Sequence, residues 1–128
     1  MYNQKVMGIF NNPQNAGVLR GANGVGTASD IVCGDIIRIY LQIQNDKIID
    51  AKFKTFGCVA SITASEVLTE MVKNCNLDDV VNITDTNIIN ELDGLPAEKQ
   101  HCAILAKNSL DEAILDYYKR LEKAQIAK

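Results

Sequence analysis

Apolar and polar residues alternate from Ile36 to Gln44. Ile37, Ile39, Leu41 and Ile43 fall on one side, Arg38, Tyr40 and Gln42 on the other. That period of two is the signature of a half-buried strand. Asn45-Asp46 with Lys47 reads as a tight hairpin connection, although it lacks a glycine. Ile48 to Phe56 then alternates again, which predicts Ile49, Ala51 and Phe53 inward and Asp50, Lys52 and Lys54 outward. Thr27 to Val32 supplies a short strand ahead of these two. The pattern predicts a three-stranded antiparallel sheet with one wet face.

After Gly57 the period changes from 2 to 3.6. Ala60, Ala64, Val67, Leu68, Met71 and Val72 form the apolar stripe of a helix from Cys58 to Lys73. Short helices are predicted over Leu77–Val80 and Asp85–Leu92, the second opened by Thr84 or Asp85. Asp93-Gly94 breaks the second. Pro96 suits the first turn of a last helix, where its missing N–H costs nothing. Ala103, Ala106, Leu110, Ala113, Ile114, Tyr117, Leu121 and Ala124 then recur at helical spacing. Ser109-Leu110-Asp111-Glu112 resembles a capping box and predicts a kink or restart there. Strands first and helices after imply an α+β fold, its helices packed on the apolar face of the sheet. Residues 1–24 are rich in Asn and Gly. Val6, Ile9 and Phe10 predict one short docking turn, and the rest reads as loop. The expected organisation is a mobile N-terminal segment, 1–24, before a single domain, 25–128.

Composition narrows the function. In 128 residues, 47% are hydrophobic and 23% charged, with a net charge of −3. One ordinary soluble domain is expected, and a basic surface for nucleic acid is excluded. No apolar run approaches the roughly 20 residues needed to cross a membrane. Met1-Tyr2-Asn3-Gln4-Lys5-Val6-Met7 lacks the core of a signal peptide, so a cytoplasmic location is expected. Four cysteines, at positions 33, 58, 75 and 102, contain no Cys-x-x-Cys pair. Any shared site must therefore be assembled from distant segments.

The chain's one histidine, His101, directly precedes Cys102 where the last helix is expected to start. A thiol at that positive end is expected to favour the thiolate. Adjacent residues deep in a helix point about 100° apart, so both can serve one site only at the helix start. Cys58 follows Gly57 at a strand-to-helix junction, with small neighbours that leave room for a ligand. If Cys33-Gly34-Asp35 stays extended, Cys33 and Asp35 share a face, in step with Ile37 and Ile39. A carboxylate there must be paired, hydrogen-bonded or metal-bound to offset its desolvation. Cys75, four residues after Met71, continues a core stripe and reads as structural. Three thiolates with an imidazole or carboxylate suit either zinc or an iron–sulfur cluster. A cysteine-nucleophile enzyme would need a base aimed at the thiol, which adjacent His and Cys rarely provide.

Cys33-Gly34-Asp35, Lys54-Thr55-Phe56-Gly57-Cys58, and Leu95-Pro96 with Lys99 and His101-Cys102 resemble the three motif blocks of the IscU/NifU scaffold family. Asn12-Pro13 with Asn15 and Gly17 resembles that family's N-terminal motif. The resemblance runs from about Phe10 to Tyr118. It implies a non-enzymatic platform on which a [2Fe-2S] cluster is built and passed to recipient apo-proteins. It further implies cluster and sulfur-accepting ligands at Cys33, Cys58 and Cys102, with Asp35 and His101 completing the site, and a cysteine desulfurase as sulfur donor. The alternative is a zinc-stabilised binding or regulatory module on the same residues, with Zn2+ in the isolated protein. Many bacterial members read Leu-Pro-Pro-Val-Lys in the loop bound by Hsp70/Hsp40-type chaperones. Leu95-Pro96-Ala97-Glu98-Lys99 departs from it, which leaves chaperone binding in question and the cluster site intact.

Overall fold

The computed structural model describes residues 1–126; positions 127 and 128 of the expected 25–128 domain lie outside the described residues. Helix α1 (Gln4–Asn11) precedes strands β1 (Gly24–Ser29), β2 (Ile36–Gln44) and β3 (Lys47–Phe56). Helices α2 (Val59–Val72), α3 (Leu77–Val80), α4 (Asp85–Glu91) and α5 (His101–Ile126) follow. The strands form one antiparallel sheet in the order β1-β2-β3. α5 packs on β1 and β2, α2 on β3 and α5, and α1 on α2. This is the predicted α+β arrangement.

The β2–β3 turn needs no glycine because Asn45 and Asp46 both take positive φ, 52° and 59°. Asn and Asp tolerate that geometry, which a two-residue hairpin requires. The inward set of β3 differs from expectation at one place. Gln42 pairs with Asp50 but Ile43 with Ile48, so Ile49 is the extra residue of a bulge. A bulge reverses side-chain parity, so Ile48 is buried and Ile49 is 37% exposed.

β1 lies earlier than predicted because glycines read as loop signals serve close packing instead. A Cβ on Gly26 would sit 2.1 Å from the backbone nitrogen of Ala113, and one on Gly24 2.6 Å from the Ala113 carbonyl oxygen. Only glycine lets β1 approach α5 this closely. Ser109 does not restart α5, which is continuous. Its hydroxyl crosses to the sheet and donates to the Gly26 and Ile37 carbonyls at 2.9 Å each. The apolar stripe of α5 outlasts the sheet: Ile114 is buried, whereas Leu121 is 41% exposed.

The N-terminal segment is also more built than a loop. α1 is capped by Asn3, whose Oδ1 accepts the Val6 N–H at 2.8 Å, and Val6 is fully buried. Beyond it, Asn15 and Gly17 bond the Phe53 backbone from either side of a parallel bridge. The buried Glu66 carboxylate of α2 accepts the N–H groups of Gln14 and Asn15 at 2.9 and 2.8 Å. Lone alternating signals cannot reveal such a latch, because its acceptor lies fifty-one residues away. Among the described residues, no helix is long and apolar enough to cross a membrane.

Candidate functional site

Three chain segments meet at one end of the sheet. The first is the turn between β1 and β2, which carries Cys33 and Asp35. Gly34 takes φ +75°, a left-handed conformation that turns the chain between them. The expected extended stretch is therefore absent here, and the two side chains do not share a face. Cys33 is exposed, whereas Asp35 is 6% exposed and points inward.

The second segment is the β3–α2 junction. Cys58 is the N-terminal flanking residue of α2, in extended conformation, and its carbonyl accepts the Ile62 N–H. Gly57 is small for a local reason: a Cβ there would come within 2.7 Å of the Asp35 carboxyl carbon. Ser61, one turn into α2, is fully buried and donates a short hydrogen bond to Asp35 Oδ2. Cys58 Sγ donates to the same oxygen at 3.4 Å.

The third is the start of α5. Pro96 flanks a single 3₁₀ turn, Ala97–Lys99, and His101 is the first residue of the helix proper. At that position the adjacent pair converges as required, with His101 Nε2 3.7 Å from Cys102 Sγ. Cys102 is fully buried, 3.7 Å from Cys58 Sγ and 3.9 Å from Asp35 Oδ2.

The five expected residues thus gather at one place but divide into two sets. Asp35, Cys58 and Cys102 have ligand atoms within 4.8 Å of one another on the inner side. Cys33 and His101 form a comparable outer set with Asp30, which sequence reading did not single out. Cys75 belongs to neither set. Its thiol donates to the Met71 carbonyl at 3.2 Å, a helix-end contact. Ser61 and Gly57 were also missed as site residues. The only available signal was that Ser61 lies one helical turn after Cys58.

Electrostatics corrects the expectation of a thiolate at the helix start. Burial pushes the Cys102 thiol up to about 12; a hydrogen bond with Ser61 opposes this, and the nearby Cys58 adds to it. Desolvation is the largest influence at this position. Burial also works against the Asp35 carboxylate, but hydrogen bonds from Ser61 and Cys58 and the charge of Lys99 outweigh it. Asp35 therefore stays below its ordinary value. Lys99 is held protonated by Cys58 and Tyr2, and burial followed by Cys58 raises the Tyr2 phenol. The inner set therefore carries an anionic carboxylate beside a protonated thiol. Soft sulfur, imidazole and hard oxygen together suit borderline divalent metals and sulfide-bridged iron.

Fold and site define the class: a small α+β domain that presents thiols, a carboxylate and an imidazole at one end of its sheet. The chain belongs to the family described as NifU-like N terminal domain, whose model matches residues 1–124. It is 46% identical over 118 residues to the iron-sulfur cluster assembly scaffold protein IscU of Aquifex aeolicus, covering 91% of this chain and 75% of that protein. It is 42% identical over 120 residues to the iron-sulfur cluster assembly scaffold protein IscU 1 of Archaeoglobus fulgidus, covering 94% of this chain and 78% of that one. The crystal structure of a nitrogen-fixing NifU-like protein (N-terminal) from Brucella abortus shares the fold, with a TM-score of 0.74 at 15% identity over 91% of this chain and 94% of that chain.

Proposed function

We propose that this chain is a non-enzymatic scaffold on which iron and sulfur are assembled into a [2Fe-2S] cluster, bound by Cys33, Asp35, Cys58, His101 and Cys102, and then passed on. The observation that carries the reading is the convergence of Asp35, Cys58 and Cys102 within 4.8 Å, from residues scattered along the chain. The iron-sulfur cluster assembly scaffold names of relatives that match most of the chain support it.

Each part of the site has a role in the proposal. Exposed Cys33 is the thiol that an incoming sulfur donor, a cysteine desulfurase, reaches first. Cys58 and buried Cys102 hold the inner side of the cluster. Cys102 must lose its proton on binding, so assembly is linked to proton release. Asp35 keeps a hard anionic oxygen beside sulfide-bridged iron, a poor match that favours release to recipient apo-proteins. Residues 1–24 are proposed as an N-terminal segment, docked through Val6 and Glu66, ahead of a single scaffold domain, 25–128. A dedicated Hsp70/Hsp40-type partner is not part of the proposal, because Ala97-Glu98 alters the loop that would receive it. The proposed setting is the cytoplasm.

Anaerobic reconstitution with iron and sulfide, followed by a visible spectrum, tests the reading. A coloured protein with sulfide-to-iron absorption is expected. A colourless protein that excludes iron and holds stoichiometric zinc would overturn it in favour of a zinc-stabilised module.

A further inference from the structure

The outer set contains a residue that no motif block includes. Asp30 begins the turn that carries Cys33, and it binds that turn by backbone and side chain together. Its N–H donates to the Asp35 carbonyl at 2.9 Å and its carbonyl accepts the Gly34 N–H at 2.8 Å. Its Oδ1 accepts the Val32 N–H at 2.8 Å and lies 3.4 Å from the Cys33 nitrogen.

These bonds occupy only one carboxylate oxygen. The other, Oδ2, lies 3.9 Å from His101 Nε2 and makes no hydrogen bond among the described residues. That gap is too long for a hydrogen bond. It is close to the roughly 3.4 Å that separates two ligand atoms around one tetrahedral metal with ordinary bond lengths. Cys33 Sγ completes a trio with all three ligand atoms within 4.8 Å of one another. The trio differs from the inner set in exposure: Cys33 is open to solvent and the side chains of Asp30 and His101 are 27% and 37% exposed.

We propose that Asp30 is a sixth metal-contacting residue, which with Cys33 and His101 forms an outer site that receives a divalent metal ion at the mouth of the Asp35–Cys58–Cys102 set. In the scaffold reading, on which this rests, the ion is iron(II) on its way to the cluster. One oxygen of Asp30 shapes the turn while the other faces the metal. One imidazole nitrogen, one thiolate and one carboxylate bind a borderline cation while leaving a coordination position open. The ion therefore sits where sulfur or a second ligand set can still reach it. His101 links the two sets, since its Nε2 is also 3.7 Å from Cys102 Sγ.

The test is anaerobic titration of metal-free protein with cobalt(II), read by thiolate-to-cobalt absorption and by competition with a chromophoric chelator. Asp30→Asn keeps an acceptor for the turn and removes the anionic ligand, so it should weaken cobalt binding by about tenfold or more with an unchanged metal-free melting temperature. Wild-type affinity in Asp30→Asn would overturn the proposal, as would a loss seen in Asp30→Ala but not in Asp30→Asn, which would leave Asp30 a turn-former only. In the wild-type protein, the Asp30 carboxyl carbon should show a large hyperfine shift on cobalt binding; an unshifted signal would also overturn the proposal, without any variant. Cys33→Ser and His101→Ala separate the two readings. If both bind cobalt as wild type, the five-residue site itself fails. If both weaken and Asp30→Asn does not, only the role of Asp30 fails.

Discussion

Cys58 Sγ and Cys102 Sγ stand 3.7 Å apart although forty-four residues separate them in the chain. Both approach the same oxygen of Asp35. The contact depends on α2 and α5 starting at the same end of the sheet, each with its thiol in or before the first turn. Burial keeps the Cys102 thiol protonated here. The metal-free site therefore keeps a proton that binding must displace.

Cys33→Ser, Cys58→Ser and Cys102→Ser should each abolish or strongly reduce cluster-bound iron, and Cys75→Ser should leave it near the wild-type level. Cys75 donates to the Met71 carbonyl and lies in neither ligand set. Iron and sulfide analysis after reconstitution measures this. Lost iron in a folded Cys75→Ser protein would contradict the assignment.

Asp35→Ala should lengthen the life of the bound cluster and slow its delivery to an apo-ferredoxin. In the proposed scaffold, alanine would remove a buried, ionised oxygen that competes for iron and admits water. It also frees the Ser61 hydroxyl and the Cys58 thiol from that acceptor. The decay of visible absorption gives the answer, and faster decay than wild type would mean that Asp35 holds the cluster instead of loosening it.

The metal-free protein should lose stability at both ends of the pH scale. Cys102 is raised in the folded state from an ordinary 9.0 to about 12. Its contribution is complete below about pH 9 and is lost as pH rises from there toward about 12. Asp35 is lowered in the folded state from 3.8, so its contribution is complete above that value and fades as pH falls below it. Urea midpoints against pH measure both arms. Cys102→Ser should flatten the alkaline arm relative to wild type, and an identical slope in the two proteins would refute the assignment to Cys102.

Glu66→Ala should destabilise the protein by about 2 kcal/mol by leaving the Gln14 and Asn15 N–H groups without their acceptor. Hydrogen exchange at those two amides should accelerate well before that of the β2–β3 ladder. Unchanged protection at Gln14 and Asn15 would show that Glu66 does not hold the N-terminal segment.

Periodicity alone determined the α+β class, the β2–β3 hairpin and the α2 and α5 stripes, because burial on one face leaves a direct imprint on residue type at intervals of 2 and 3.6. Cys33, Asp35, Cys58, His101 and Cys102 were legible as candidates, the last two and Cys58 because Pro96 and Gly57 mark where their elements begin. What only the tertiary structure decided are relationships between segments. A bulge at Ile49 exchanged the inward residues of β3, and glycines that signal loops in isolation proved to be the surface on which α5 rests at Gly24 and Gly26. Burial raised the Cys102 thiol where the helix start alone predicted a thiolate, and Gly34 turned Cys33 outward while Asp35 went in. Ser61 joined the site through its hydrogen bond to Asp35, and Asp30 through its 3.9 Å approach to His101, both partners far away in sequence. Local spacing carries information about which face is buried; desolvation and cross-chain hydrogen bonds arise only when distant segments meet, so no window of sequence contains them.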